Sequence, residues 1–261
     1  MANIETLEEK VDRFKEYYLG LIKTAECEQN ITNQKVHSKI LSCSIFDAIS
    51  KSIFPEISSN CQRFTALVRL CKNWPESQKV SLLHLVRLLE ITPNLPSSTN
   101  ELKIYATQQF ESKFPNSNSI MSNNKAISSD VEIEAILELW PTQNGKPIKI
   151  GKVLPHQLKH EYLLWLYRNS VVHEYRNPGR GVELGLYVPE YAFYQEMATV
   201  SKIDEKEFKF TSHWELVYPY RFFINLCKEA LDVVSLLHNK NKTSPFQAYS
   251  EGTFWLPNFN E

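Results

Sequence analysis

A polar block set into an apolar helix is the sequence feature that most restricts how this chain can fold. The run Tyr162-Leu163-Leu164-Trp165-Leu166-Tyr167 is followed directly by Arg168-Asn169-Ser170-Val171-Val172-His173. A helix this apolar is expected to be largely buried. Burying arginine, asparagine and histidine is costly unless each has a partner. The sequence therefore predicts that the polar block lines a cleft, meets a second copy of itself, or belongs to a paired network.

Composition and charge exclude several classes of protein. Of the 261 residues, 43% are hydrophobic and 23% are charged, as in an ordinary globular protein. The formal net charge of -1 gives no general attraction to nucleic acid, so RNA binding would require a local patch. No apolar run is long enough for a transmembrane helix, and the first residues lack the pattern of a signal peptide. The five cysteines include no C-x-x-C pair, which predicts a reduced cytoplasmic protein without a thiolate zinc site.

Apolar residues at helical spacing predict a mainly α-helical chain. The expected helices cover about 4–30, 35–53, 60–73, 77–91, 104–110, 131–140, 155–175 and 219–238. The fourth is apolar all round, which indicates a central position. The stretch 116–129 is rich in serine and asparagine and is predicted to be mobile.

Two segments before the last helix alternate apolar and polar residues, which predicts a small two-stranded β ribbon. They lie at 182–188 and 208–216. No repeat or linker stands out, so residues 1–261 are interpreted as one helical domain. Residues 1–34 form a helical extension, and 239–261 form a tail whose late aromatic residues dock back or contact a partner (Phe254, Trp255 and Phe259).

The polar block contains the groups needed to cleave RNA without a metal ion. Asn169 and His173 are four residues apart and share a helix face, while Arg168 can bring its long side chain toward them. Histidine exchanges protons near neutral pH, and arginine binds phosphate oxygens through parallel N–H groups. Arg176 and Arg180 follow closely and could hold flanking phosphates.

These residues carry a resemblance. Arg168 to His173 matches the R-x4-H motif of the HEPN superfamily, in its form with asparagine after the arginine. Residues 40–51 resemble an early HEPN helix, in which Asp47 and Lys51 stand as the acidic residue and the basic residue four positions later; Asp47 replaces the more usual glutamate. Residues 163–175, 214–219 and the last helix are similar to HEPN-type proteins of bacterial defence and toxin systems. The similarity covers about 35–238, and 92–150 matches poorly.

The resemblance implies an antiparallel helical bundle that forms a homodimer with one composite RNase site across the two-fold axis. It implies RNA cleavage through attack of the 2′-hydroxyl, which leaves a 2′,3′-cyclic phosphate and a 5′-hydroxyl. By position, His173 is the general acid/base, Arg168 the phosphate ligand and Asn169 the residue that orients them. Asp47 and Lys51 support the site. No cofactor or membrane is implied, and the setting is a toxin or anti-phage system with an antitoxin or regulatory partner.

Plainer interpretations stay open beside this one. Arg168 and His173 could form a structural network in a non-catalytic module that binds RNA or protein. Asp47 and Lys51 could be an ordinary surface pair, and the two later arginines a solvated face. His156 and His160, four residues apart, could present imidazoles to a metal ion, although no third ligand is evident. Phosphate-binding glycine loops and hydrolase or protease signatures do not occur.

Overall fold

The computed structural model describes residues 5–27, 34–115, 123–179, 183, 189–202 and 208–249. Within these ranges the chain forms eight α-helices and a small antiparallel sheet. The helices are α1 (Leu7–Cys27), α2 (Gln34–Ile53), α3 (Asn60–Leu70), α4 (Leu82–Ile91), α5 (Asn100–Lys113), α6 (Ile133–Leu139), α7 (His160–Glu174) and α8 (Tyr220–Asn241). The strands are β1 (Asn124–Ala126), β2 (Thr142–Gln143), β3 (Lys146–Pro147), β4 (Phe193–Lys202) and β5 (Phe208–Val217).

The predicted order of helices is confirmed, with differences at their ends. Helix α4 begins at Leu82 rather than 77, because Pro75–Gln78 forms a 3-10 turn and the hydroxyl of Ser81 caps the helix by accepting from the His84 amide, 3.3 Å away. All six of its leucine and valine side chains are buried, as expected for a central helix. Helix α5 spans 14 residues and is longer than predicted. Only Leu102 and Ala106 are fully buried, so apolar residues at helical spacing mark only part of its length in the sequence.

The core centres on α2 and α8, which pack against each other and against α1. Phe14 of α1 is buried there and contacts Phe246, beyond α8, at a ring distance of 5.8 Å. The Tyr249 hydroxyl donates to the Ala48 carbonyl at 2.9 Å, so the tail folds back on α2 at least to this point. The late aromatic residues predicted to dock, at 254, 255 and 259, lie outside the described residues.

The sheet contains a strand that the sequence did not predict. Strand β5 lies where the alternating pattern placed it, but it pairs along its full length with β4, from Phe193↔Val217 to Lys202↔Phe208. The other alternating segment, 182–188, lies outside the described residues except for Glu183. A third strand, β1, pairs with β4 in the order β1-β4-β5. The sequence predicts residues 124–126 to be mobile, whereas the structure pairs them as an edge strand with β4.

A buried polar network fixes the start of α7. The Asp130 carboxylate accepts from His160 Nε2 at 2.7 Å, from the Tyr194 hydroxyl at 2.5 Å and from the Leu82 amide at 3.0 Å. Asp130 and His160 have fully buried side chains. Because buried polar groups are costly to leave unpaired, this network ties the first residue of α7 to α4 and to the sheet.

Helix α7 ends in two unusual backbone conformations. Tyr175 lies in the left-handed region, with φ 56°, and Gly179 has φ 72°. A Cβ atom on Gly179 would lie 2.6 Å from Oε2 of Glu215, a flexible side chain that can move aside, so the positive φ is the main reason for glycine here. Helix α7 therefore ends at Glu174, one residue before the predicted end at 175.

None of the helices in the described ranges is both long enough and apolar enough to cross a bilayer.

Candidate functional site

Two helices bring the predicted site residues together. Helix α7 carries Arg168, Asn169 and His173 near its C-terminal end, and α2 packs beside it and carries Asp47. The structure therefore joins Asp47 to a motif that lies 121 positions further along the chain. We call these four residues the Arg168 cluster.

The guanidinium of Arg168 is the centre of the cluster. Its Nε and Nη2 both donate to Oδ2 of Asp47, the former at 2.9 Å. Its Nη1 donates to Oδ1 of Asn169 at 3.1 Å and to Nε2 of His173 at 3.2 Å. The guanidinium carbon lies 4.9 Å from the ring centre of Trp165, a cation–π contact from the preceding turn of the helix. Every predicted catalytic residue thus contacts the same side chain.

These contacts determine which atoms remain free. A guanidinium has five N–H donors and no acceptor, so the four contacts leave one hydrogen of Nη2 without a partner in the cluster. Since arginine can only donate, Nε2 of His173 is the acceptor in this contact. Arg168 is only 11% exposed, whereas His173 is exposed. A ligand from solvent therefore reaches the imidazole first.

Burial raises the pKa of the Asp47 carboxyl above its ordinary value, and the neighbouring Arg168 opposes that shift. Arg63 of α3 and His173 also favour the ionised carboxylate, more weakly. The ionised state of Asp47 consequently depends on the guanidinium beside it. Sequence reasoning did not identify Arg63 as a neighbour, because it lies on a helix without a motif.

The remaining predicted residues lie apart from the cluster. Lys51 is exposed and its Nζ lies 5.8 Å from the ring of Tyr249, and no ion pair joins it to Asp47 within the described ranges. Arg176 is exposed and pairs with Glu174 at 2.6 Å. Arg180 lies outside the described residues. The structure therefore brings Asp47, but neither Lys51 nor Arg176, to the guanidinium.

A fully buried lysine lies behind the cluster and was missed from the sequence. Lys39, on α2, is 0% exposed and forms an ion pair with Glu183. Its Nζ also donates to the Tyr167 hydroxyl at 2.8 Å and to Oδ1 of Asn177 at 3.0 Å. Burial lowers the pKa of Lys39, while the carboxylate of Glu183 opposes the change. This network holds the chain just after α7, and with it the turn of helix that carries His173.

An exposed aromatic residue follows the motif and was also missed. Tyr175 is 70% exposed and holds the left-handed conformation that ends α7. Bulky residues adopt this conformation rarely and at some cost. Only the structure shows that Tyr175 is exposed. In the sequence it follows several other aromatic residues of the same helix, and nothing distinguishes it from them.

The two histidines considered as metal ligands do not converge. Both ring nitrogens of His160 face other groups: Nε2 lies against Asp130 and Nδ1 lies 3.3 Å from the Tyr218 hydroxyl. His156 is exposed on the turn before α7. Among the residues that the structure describes, no three His, Cys, Asp or Glu side chains are grouped as a metal site would require.

No family model, no curated protein and no solved structure matches this chain. Its function must therefore be inferred from the chemistry of the Arg168 cluster.

Proposed function

We propose that the protein is a metal-independent endoribonuclease of the HEPN type. The observation that carries the proposal is the 3.2 Å contact between Nη1 of Arg168 and Nε2 of His173, made at the exposed end of α7. The proposal is supported because a guanidinium, which can bind phosphate oxygens, lies beside an imidazole, which can carry a proton, and RNA cleavage through the 2′-hydroxyl requires both.

Substrate binding would rearrange this contact. A phosphate oxygen that accepts from Nη1 and from the free hydrogen of Nη2 replaces His173 as the partner of the guanidinium. Nε2 is then released and takes the proton of the 2′-hydroxyl as the 2′-oxygen attacks phosphorus. The bond to the 5′-oxygen breaks, that oxygen takes up a proton, and the products are a 2′,3′-cyclic phosphate and a 5′-hydroxyl. Asp47, behind Arg168, holds the guanidinium plane in place.

This chemistry needs both a base and an acid, and the cluster contains one imidazole. A homodimer with the Arg168 clusters of two subunits in one groove would supply the second. The exposed face of α7 suits such pairing. Leu166 is exposed and lies on the same side of the helix as Ser170, one turn later, and His173, two turns later. A toxin or anti-phage setting, with RNA as substrate and an antitoxin or regulatory protein as partner, belongs to the same proposal.

Cleavage of a single-stranded RNA in EDTA tests the proposal. We expect the wild type to cut and His173→Ala to lose about 10² to 10⁴-fold in rate while keeping its circular dichroism spectrum and its size in solution. His156→Ala is the matched control, since that histidine lies on the turn before α7 and outside the cluster. Cleavage by His173→Ala at the wild-type rate would contradict the assignment. Products without a cyclic phosphate would contradict attack by the 2′-hydroxyl.

A non-catalytic module that binds RNA or protein is the second candidate, and one observation favours it. Asp47 occupies both Nε and Nη2 of Arg168, the edge with which arginine usually binds a phosphate. In that case the guanidinium is a structural tie between α2 and α7. Wild-type protein that binds RNA without cutting it would support this candidate.

A further inference from the structure

A groove on the outer side of α8 is separate from the Arg168 cluster. Two adjoining cavities of about 640 and 350 Å³ share a lining that includes Trp74, Glu190, Tyr191 and Phe222. The larger continues along α8 to Leu236. From Phe222 to Leu236 the helix rises about 21 Å, or four turns. We call this surface the α8 groove; none of its described lining residues belongs to the Arg168 cluster.

The α8 groove exposes apolar side chains that nothing in the described chain covers. Tyr191 is 57% exposed and Leu236 is 69% exposed, while Trp74 and Phe222 of the same lining are buried. Phe222, Leu226, Val233 and Leu236 are spaced by four, seven and three residues, so they form one apolar stripe along the helix, which Glu229 interrupts. An apolar stripe with a polar border is the kind of surface against which a second helix packs.

The border of the α8 groove is acidic. Its described lining includes four carboxylates, those of Glu76, Glu190, Glu229 and Asp232, and one lysine. The ammonium of that lysine, Lys228, donates to both carboxylate oxygens of Glu26, at 3.0 and 2.9 Å. A phosphate-bearing ligand would be repelled here, and a cationic one attracted.

Two of the carboxylates have cationic partners that a ligand can replace. Lys15 lies 2.7 Å from Asp232, and Arg221 lies 3.8 Å from Glu190. All four side chains are well exposed, and exposed pairs of this kind contribute little to stability. Exchange for the lysines of a partner therefore costs the fold little.

We propose that the α8 groove binds a cationic amphipathic helix from another protein. Aliphatic side chains on one face of that helix would pack on the stripe that ends at Leu236, and lysine or arginine side chains beside them would pair with Glu229 and Asp232. The length of the groove fits a helix of about four turns. This interaction goes beyond the proposed RNA cleavage and does not depend on it.

The test uses three labelled 18-residue peptides and the full-length protein. The probe has leucine at helical a/d spacing with lysine elsewhere; one control replaces lysine by glutamate, and the other keeps the composition and scrambles the order. We expect fluorescence anisotropy to show binding of the probe, and of neither control peptide. Hydrogen exchange should slow in residues 222–236 when the probe binds and stay unchanged in α5.

Matched variants locate the binding. Leu236→Ser should lower the affinity for the probe tenfold or more, and Glu229→Gln/Asp232→Asn should lower it about three- to tenfold. Gln and Asn keep hydrogen-bond acceptors, including the one that Glu229 presents to the Asn73 amide. Ile104→Ser and Glu101→Gln/Glu111→Gln alter exposed residues of α5 in the same way and should change nothing.

Three outcomes would overturn the proposal. Equal binding by all variants would show that the probe binds elsewhere, and an equal loss in the charge variants of the groove and of α5 would show attraction to net charge alone. Equal binding of the scrambled peptide would remove the need for a helix. A wild-type dimer that Leu236→Ser converts to a monomer, with no binding of the probe, would show that a second copy of the chain occupies the groove.

Discussion

Nη1 of Arg168 lies 3.2 Å from Nε2 of His173, although the two residues stand five positions apart on α7. Five residues place side chains about 140° apart around a helix, so the contact depends on the length of the arginine side chain and on the anchors that turn it. Those anchors are Asp47 on α2 and the ring of Trp165. The contact between Arg168 and His173 therefore depends on residues of both α2 and α7, and the contribution of each helix can be tested.

Removal of the guanidinium should destabilise the fold as well as end cleavage. Arg168→Ala leaves the partly buried Asp47 carboxylate without its counter-charge, and we expect a loss of about 2–4 kcal/mol in the free energy of unfolding. The double variant Asp47→Asn/Arg168→Ala should recover part of that loss without recovering RNA cleavage. Urea denaturation and a cleavage gel measure the two effects. Cleavage restored by the double variant would contradict a role of Arg168 in the reaction.

The buried lysine should be far more important to stability than an exposed lysine of the same helix. Lys39→Met leaves Glu183 as an unpaired buried carboxylate, which costs about 3–5 kcal/mol. Lys39→Met/Glu183→Gln should cost less than the single change, because no charge is left unpaired. Lys51→Met, on the exposed side of α2, is the control and should alter stability by no more than about 0.5 kcal/mol. Equal effects of Lys39→Met and Lys51→Met in urea denaturation would contradict the network.

Stability should fall in acid partly because of His84. Burial, with the charges of His160 and Arg87, lowers the pKa of His84 from 6.5 to about 4, and Asp130 opposes the change. Between pH 6.5 and 4 the unfolded chain binds a proton at this site that the folded chain does not. The stabilisation is therefore complete above pH 6.5 and is lost as the pH falls toward 4, by up to about 3 kcal/mol.

Urea denaturation at pH 7.5 and 4.5 checks the pH dependence of His84. The fall in unfolding free energy between the two pH values should be smaller in His84→Gln than in the wild type, since glutamine does not titrate and can still hydrogen-bond to Ser81. An identical fall in both proteins would place the titration elsewhere.

Replacing Tyr175 at the end of α7 by glycine should stabilise the protein. Tyr175 has φ 56° and its side chain is mostly exposed, so Tyr175→Gly relieves strain and removes little packing. We expect the free energy of unfolding to rise by about 0.5–1 kcal/mol. Tyr17→Gly is the control, an exposed tyrosine inside α1, and should lower it by about 1 kcal/mol. Thermal melts compare them, and similar losses in both would contradict a strained Tyr175.

The sequence by itself determined the order of the helices and the chemical groups of the candidate site. Helical periodicity and capping residues act over a few positions, so they can be detected in a linear chain without knowledge of its fold. The same holds for the spacing from Asn169 to His173, which puts both residues on one face of a helix.

The sequence did not predict β4, the strand that pairs with β5. Residues 193–196, at the start of β4, are all buried, among them Gln195 and Glu196. A strand covered on both faces shows no alternation of apolar and polar residues, so the alternating segment 182–188 was the stronger signal.

Only the tertiary structure decided which polar groups are paired. Asp47 reaches Arg168 across 121 positions, and Lys39 reaches Tyr167 across 128, through the packing of α2 on α7. Asp47 and Lys51 share a helix and a regular spacing, yet only Asp47 faces α7. Which side of α2 is buried follows from the sum of many apolar contacts along α1, α7 and α8, and no short stretch of sequence contains that information.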